Sequence, residues 1–178
     1  LIDKICGLAT NYFHKYDGMP EKDVIEYSLK FILTNIITFL LIIALGLTTG
    51  NIINVLIAAL SFSLLRVFSG GIHIKNPDLC ILTSLTVVYA LANLPSYISP
   101  EYVKVFMVIT FLLVIIYAPS KIEDHSILRK EKHYIFKIIS IIIVFAGIIG
   151  KNEIIQFSFF VQSLTLINIR MKGGEINE

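Results

Sequence analysis

The chain is expected to be an all-α, polytopic membrane protein with about six transmembrane helices and an N-terminal cytoplasmic amphipathic helix. Three observations predict this. First, 56% of its 178 residues are apolar and 16% are charged, where a soluble domain runs near roughly 45–50% and about 25%; the mean hydropathy is +0.80. Second, six apolar stretches recur, at 31–47, 52–68, 79–94, 103–118, 135–149 and 154–169. Each approaches the roughly 20 residues that cross a hydrocarbon core. Third, the basic residues segregate to alternate loops, as in chains threaded through a bilayer.

The elements follow in order. Leu1, Ile5, Leu8, Ala9, Tyr12 and Phe13 recur at helical spacing, with Asp3, Lys4, Asn11 and Lys15 on other faces. This pattern predicts a helix lying on the cytoplasmic leaflet, within an interfacial segment 1–26. Asp17-Gly18-Met19-Pro20 then turns the chain, and Glu21 opens the helix that enters the first span. Every span is bounded by charge, glycine, proline or asparagine, the residues that end helices. The spans are short, so Arg66 and Lys137 are expected to snorkel to the interface. Only Lys151-Asn152-Glu153 separates the last two, and a re-entrant segment among the six is the structural alternative. Because the chain opens on Leu1, a few residues are expected upstream; no secretory signal peptide is expected.

Orientation follows from the cations. With the N-terminus in the cytoplasm, Lys4, Lys15, Lys22, Lys30, Arg66, Lys75, Lys121, Arg129, Lys130, Lys132, Lys137, Arg170 and Lys172 lie inside. Only Lys104 and Lys151 lie outside, so thirteen of fifteen obey the positive-inside rule. Both termini are therefore expected in the cytoplasm, together with the loop 66–80 and the basic loop 119–134. Residues 1–178 read as one integral-membrane domain. No phosphate-binding glycine loop is present, which excludes ATP-driven transport by this chain alone. Nothing supports nucleic-acid binding. Cys6 and Cys80 make no disulfide framework.

Chemistry gathers in one place, between the second and third spans. Arg66, Gly70, Gly71, His73, Pro77 and Cys80 fall within fifteen residues, and polar clusters beside lipid mark function by default. Asn76-Pro77-Asp78 predicts a helix start, with asparagine at the cap and proline at the first helical position. Cys80 then falls in the first turn, where the helix dipole favours thiolate. His73, with a side-chain pKa near neutrality, is the candidate base. Seven residues would be two turns of one helix, but the glycines and the proline predict a bent loop instead. The glycines let a backbone approach closely, and their amides are candidate oxyanion donors. Asp78 opposes thiolate formation.

Each residue also has a structural reading. A lone membrane cysteine is commonly a small buried apolar group, Arg66 an interface anchor, and Gly70-Gly71 a helix cap. Cys6 reads as packing. The loop 121–133 reads first as a solvated connector, and its functional reading is that Arg129, Lys130 and Lys132 grip an acidic peptide. His125 and His133 with Cys80 are too sparse for a structural zinc site, so neither metal nor cofactor is expected. Thr34, Asn35, Ser61, Ser63, Thr83, Ser84, Asn93, Gln156 and Gln162 are scattered and uncharged, suiting helix–helix hydrogen bonds better than an ion path. A non-enzymatic transporter or receptor subunit is the alternative reading.

Arg66, Gly71, His73 and Cys80 resemble, in identity and spacing, the signature of the AgrB family of membrane peptidases. The segment Tyr117-Ala118-Pro119-Ser120 leading into the charged loop resembles that family as well. The resemblance implies a cysteine endopeptidase of the bacterial cell membrane, acting on a short AgrD-type propeptide. It implies Cys80 as nucleophile, His73 as its base, and Arg66, Gly70 and Gly71 as supporting residues. An acyl-enzyme thioester would be resolved by an internal cysteine or serine of the peptide, closing a thiolactone or lactone pheromone. A homodimer is expected, partly on this resemblance.

Overall fold

The computed structural model describes residues 2–13, 20–72, 74, 76–120 and 133–167. Seven α-helices occur among them: α1 (Ile2–Phe13), α2 (Lys22–Thr48), α3 (Ile52–Ser69), α4 (Pro77–Asn93), α5 (Pro100–Tyr117), α6 (His133–Gly150) and α7 (Glu153–Leu164), with a 3-10 turn, Leu94–Tyr97, after α4. Each of the six apolar stretches of the sequence holds a helix, although the last is helical only as far as Leu164. Four are long and apolar enough to cross a membrane: Lys22–Thr48, Ile52–Ser69, Pro77–Tyr97 and Pro100–Tyr117. Large apolar side chains cover their outer faces, Phe39, Ile53, Leu60, Leu82 and Val108 among them. A soluble protein would bury these; a bilayer solvates them. The chain is a membrane protein.

The described residues fall into two compact units, one holding residues 1–59 and 73–97, the other 60–72 and 98–178. In the first, α1 packs on α2 and α4. Ile2, Cys6 and Ile81 are buried together, with Leu29, Leu33, Ile37 and Leu85 against them. Lys30 of α2 bonds Asp3 of α1 at 2.8 Å and Glu26 of its own helix at 2.9 Å. The packed stripe of α1, Ile2-Cys6-Thr10, differs from the apolar stripe of the sequence, and Ile5, Leu8 and Tyr12 are exposed instead. Small side chains at Cys6 and Thr10 permit close approach to a neighbouring helix, which the bulkier stripe does not. Helix α2 is continuous for 27 residues, so the helix opening after Glu21 and the first span are one element.

Helix α2 ends in a Schellman turn. Gly50 has φ +66, Asn51 N–H donates to Gly46 O at 3.0 Å, and Gly50 N–H donates to Leu47 O at 3.3 Å. The following helix starts so close that a Cβ on Gly46 would lie 2.6 Å from the Ile52 side chain.

In the second unit, Leu65, Met107, Val114, Ala118, Val144, Phe159 and Leu166 form the core. Phe106 stacks on Phe160 with ring centroids 4.5 Å apart. Helices α6 and α7 meet at Gly147, where a Cβ would lie 2.6 Å from the Phe159 ring. The last span of the sequence, 154–169, is shorter than expected. Helix α7 stops at Leu164, and its 12 residues rise about 18 Å at ~1.5 Å each. The helix tightens because the amides of Thr165, Leu166 and Ile167 reach back three residues, to Gln162, Ser163 and Leu164.

Most span hydroxyls and amides are satisfied within their own helix rather than across helices. Asn35 donates to Phe31 O, Thr38 to Thr34 O, Thr110 to Phe106 O and Ser158 to Ile154 O. A carbonyl four residues back is always within reach. Of the residues expected to bond between helices, Asn35 bonds within its own, whereas Asn93, Gln156 and Gln162 reach beyond theirs, to Asn51, Gly147 and Gly70.

Overpacking a tight site costs about 1–3 kcal/mol. Gly147→Val should therefore lower the detergent melting temperature by several degrees, and Phe159→Ala in the same chain should recover part of that loss. Additive losses in the double mutant would show that the two residues do not meet.

Candidate functional site

Between α3 and α4 the backbone leaves the helical conformation and is held by segments far away in sequence. Gly70, at φ +73, donates its amide to Arg66 O at 2.9 Å and so terminates α3 in the left-handed region. Gly71, at φ +129, donates to Ser120 O at 3.1 Å, and Ser120 N–H returns a bond to Ser69 O at 2.9 Å. Gly70 and Ser120 thus form a parallel bridge. Ile72 N–H donates to Thr165 O at 3.1 Å. The Ala118–Pro119 peptide just before Ser120 is cis.

Side chains complete this seam. The Arg66 guanidinium donates to Ile72 O and lies 6.0 Å from the Phe62 ring centroid, at the outer limit of a cation–π contact. Gln162, fully buried, donates through Nε2 to Gly70 O at 2.7 Å and to Ser69 Oγ at 3.3 Å. A Cβ on Gly71 would lie 2.5 Å from Thr165 Oγ1. The position therefore requires glycine twice, for its φ and for its neighbour. The amides of Gly70 and Gly71 are both committed to protein carbonyls.

From Ile72 the chain runs through His73 to the start of α4. Asn76 Oδ1 accepts the amides of Asp78 at 3.0 Å and Leu79 at 3.2 Å, and Pro77 occupies the first turn. Cys80 N–H donates to Asn76 O at 2.9 Å. The sequence expectation of a bent link and a capped helix start holds, and Cys80 sits in the first turn. Its free thiol is half-buried. Asp78, expected to oppose a thiolate, lies in the same first turn of α4.

The two cysteines differ in environment. Cys6 is 0% exposed, and burial pushes its thiol pKa up. A protonated, enclosed thiol is inert.

His73, Arg129, Lys130 and Lys132 lie outside the described residues, as does His125, and His133 is described only as the first residue of α6. Among the described residues no three His, Cys, Asp or Glu side chains come close enough to hold a metal ion. Sequence reasoning missed Ser120, Gln162 and Thr165 as partners of the glycine pair. Gln162 carried a usable signal, since a glutamine buried in an apolar run must find hydrogen bonds.

Gly71→Ala is expected to destabilise by about 1–3 kcal/mol from backbone strain, and by more while Thr165 stands against the new methyl. Thr165→Ala in the same chain should recover only part, because φ stays unfavourable. Full recovery in thermal unfolding would show that the side-chain clash alone matters.

Known proteins give this geometry a context. Residues 6–169 match the family described as accessory gene regulator B. An AgrB-like protein of Halalkalibacterium halodurans is 28% identical over 174 residues, covering 88% of this chain and 86% of the relative. Another of Clostridium beijerinckii is 26% identical over 183 residues, covering 96% and 92%. The accessory gene regulator protein B of Staphylococcus aureus strain JH9 is 27% identical over 179 residues, covering 94% of each. No solved structure matches the chain. The match spans the link from Arg66 to Cys80 and every helix from α2 to α7: the chain belongs to the accessory gene regulator B family.

Proposed function

We propose that this protein is a membrane cysteine endopeptidase that matures a short AgrD-type propeptide into a cyclic quorum-sensing pheromone. Family membership supports the substrate class. The observation that carries the chemistry is the half-buried free thiol of Cys80 in the capped first turn of α4, beside a buried and inert Cys6.

In this reading His73 takes the thiol proton of Cys80, and the thiolate attacks the carbonyl at the cut site. The carbon–nitrogen bond breaks, His73 returns the proton to the leaving amine, and the acidic C-terminal tail departs. The remaining acyl group is held as a thioester on Cys80. An internal thiol or hydroxyl of the peptide then attacks that thioester, closing the ring and releasing Cys80. A thioester retains most of its acyl-transfer capacity, so ring closure needs mainly proximity and exclusion of water.

The supporting residues act on the backbone. Arg66, Gly70 and Gly71 fix the link that leads into His73, and they do so structurally, since the glycine amides are used within the protein. Arg129, Lys130 and Lys132 attract the acidic tail. Residues 1–178 work as one peptidase domain with six membrane segments, both ends cytoplasmic. The exposed Ile5, Leu8 and Tyr12 of α1 rest on the inner leaflet, and two copies associate.

The test is cleavage of a cognate propeptide by the full chain in liposomes. Cys80→Ala should abolish tail release, and His73→Ala should slow it by about 10²–10⁴-fold. Cys6→Ala should cleave at the wild-type rate. Normal cleavage by either of the first two variants overturns the assignment of that residue.

A further inference from the structure

A second site lies wholly within the unit built from α5, α6 and α7. It is a groove of about 690 Å³, within the roughly 300–1,000 Å³ range of small-ligand pockets. Its walls are apolar, with Met107, Phe111 and Leu112 from α5 and Phe145 and Ile148 from α6. Its mouth is polar and carries Lys104, Lys151, Glu153 and Gln156. Neither lysine is ion-paired among the described residues.

Helix ends add to the charge that Lys104, Lys151 and Glu153 set at the mouth. Pro100 and Glu153 line it, and they are the first residues of α5 and α7. Two helix N-termini thus open there, each equivalent to about half a positive charge. The C-terminus of α6 at Gly150 offsets one of them. Asn152 caps α7, whereas Ser99 makes no side-chain cap on α5. Lys151 stands at φ +50, a conformation costing roughly 1–2 kcal/mol in a residue with a Cβ. Gln156 Nε2 is bound to Gly147 O at 3.0 Å, which leaves its amide oxygen and the Glu153 carboxylate as acceptors.

We propose that this groove binds one phospholipid bearing a singly anionic, hydroxylated headgroup of the glycerol-phosphate type. The phosphate lies between Lys104 and Lys151, and headgroup hydroxyls donate to Glu153 and Gln156. One acyl chain follows α5 past Met107 towards Leu112. The apolar walls select a lipid chain, and the two lysines, without an ion pair among the described residues, select against a zwitterionic headgroup, because basic pockets between membrane helices hold anionic lipids. Nothing in this site belongs to the link that carries Cys80, so it stands apart from the proposed peptidase chemistry.

The chain contains no tryptophan, which makes the site directly readable. Leu112 lies eight residues from Lys104, about 12 Å along the helix, at acyl-chain depth. The full chain with Leu112→Trp is placed in phosphatidylcholine vesicles containing either brominated phosphatidylglycerol or brominated phosphatidylcholine. Half-quenching should need a several-fold lower mole fraction of the anionic lipid, and Lys104→Gln with Lys151→Gln should erase that preference. A Leu60→Trp reporter on the exposed face of α3 should show none. Val108→Trp, one turn from Leu112, serves the same purpose should Leu112→Trp insert poorly. Equal quenching by both lipids, or a preference that survives loss of both lysines, overturns the proposal. Relief of quenching by a stoichiometric propeptide would make the peptide the occupant and overturn it equally.

Discussion

A backbone that leaves the helix at the end of an apolar span must pair every peptide group that the protein buries, since each unsatisfied one costs several kcal/mol. The link between α3 and α4 meets this constraint from inside the protein. The amides of Gly70, Gly71 and Ile72 reach Arg66, Ser120 and Thr165, while the carbonyls of Ser69, Gly70 and Ile72 accept from Ser120, Gln162 and Arg66. Three segments distant in sequence are thereby tied to one point. The end of α5 turns at Ala118 to present Ser120, and the end of α7 tightens to present the Thr165 carbonyl. The glycine pair is the consequence of that closeness.

In the proposed reading, the hydrogen bonds of Gly70, Gly71 and Ile72 have a chemical use. A nucleophile placed on a mobile loop would spend most of its time misaligned, and small misplacements cost large factors in rate. Here the residues before His73 are fixed by hydrogen bonds, and the residues after it are fixed by the Asn76 cap and Pro77. The contrast with Cys6 follows from the same packing. Ile2, Cys6 and Ile81 enclose one thiol completely, whereas the first turn of α4 leaves Cys80 half-exposed at a helix end that favours negative charge.

Much of this was legible in the sequence, and the rest had physical reasons to be hidden. Hydropathy located all six apolar segments, and Asn76-Pro77-Asp78 located the start of α4, because capping is local chemistry. The two glycines signalled a break in the helix for the same reason. Hydropathy could not reveal that α7 stops at Leu164, where the Thr165 carbonyl serves the Ile72 amide about ninety positions earlier in the chain. The apolar stripe read from the sequence, with Ile5, Leu8 and Tyr12, is exposed, while the stripe that packs on neighbouring helices, Ile2-Cys6-Thr10, is one that hydropathy did not single out. Gln162 looked like one of several stray polar groups until Gly70 lay against it. Long-range pairing leaves little periodicity to read.

The central claim is that Cys80 carries the acyl group between cleavage and ring closure. A propeptide whose ring-closing cysteine or serine is replaced by alanine cannot complete the second step. Incubated with the full chain in liposomes, it should leave the protein heavier by the mass of the N-terminal peptide fragment. That adduct should be removed by hydroxylamine and should map to Cys80. Stoichiometric release of the tail with no adduct, or an adduct on any other residue, would contradict the account.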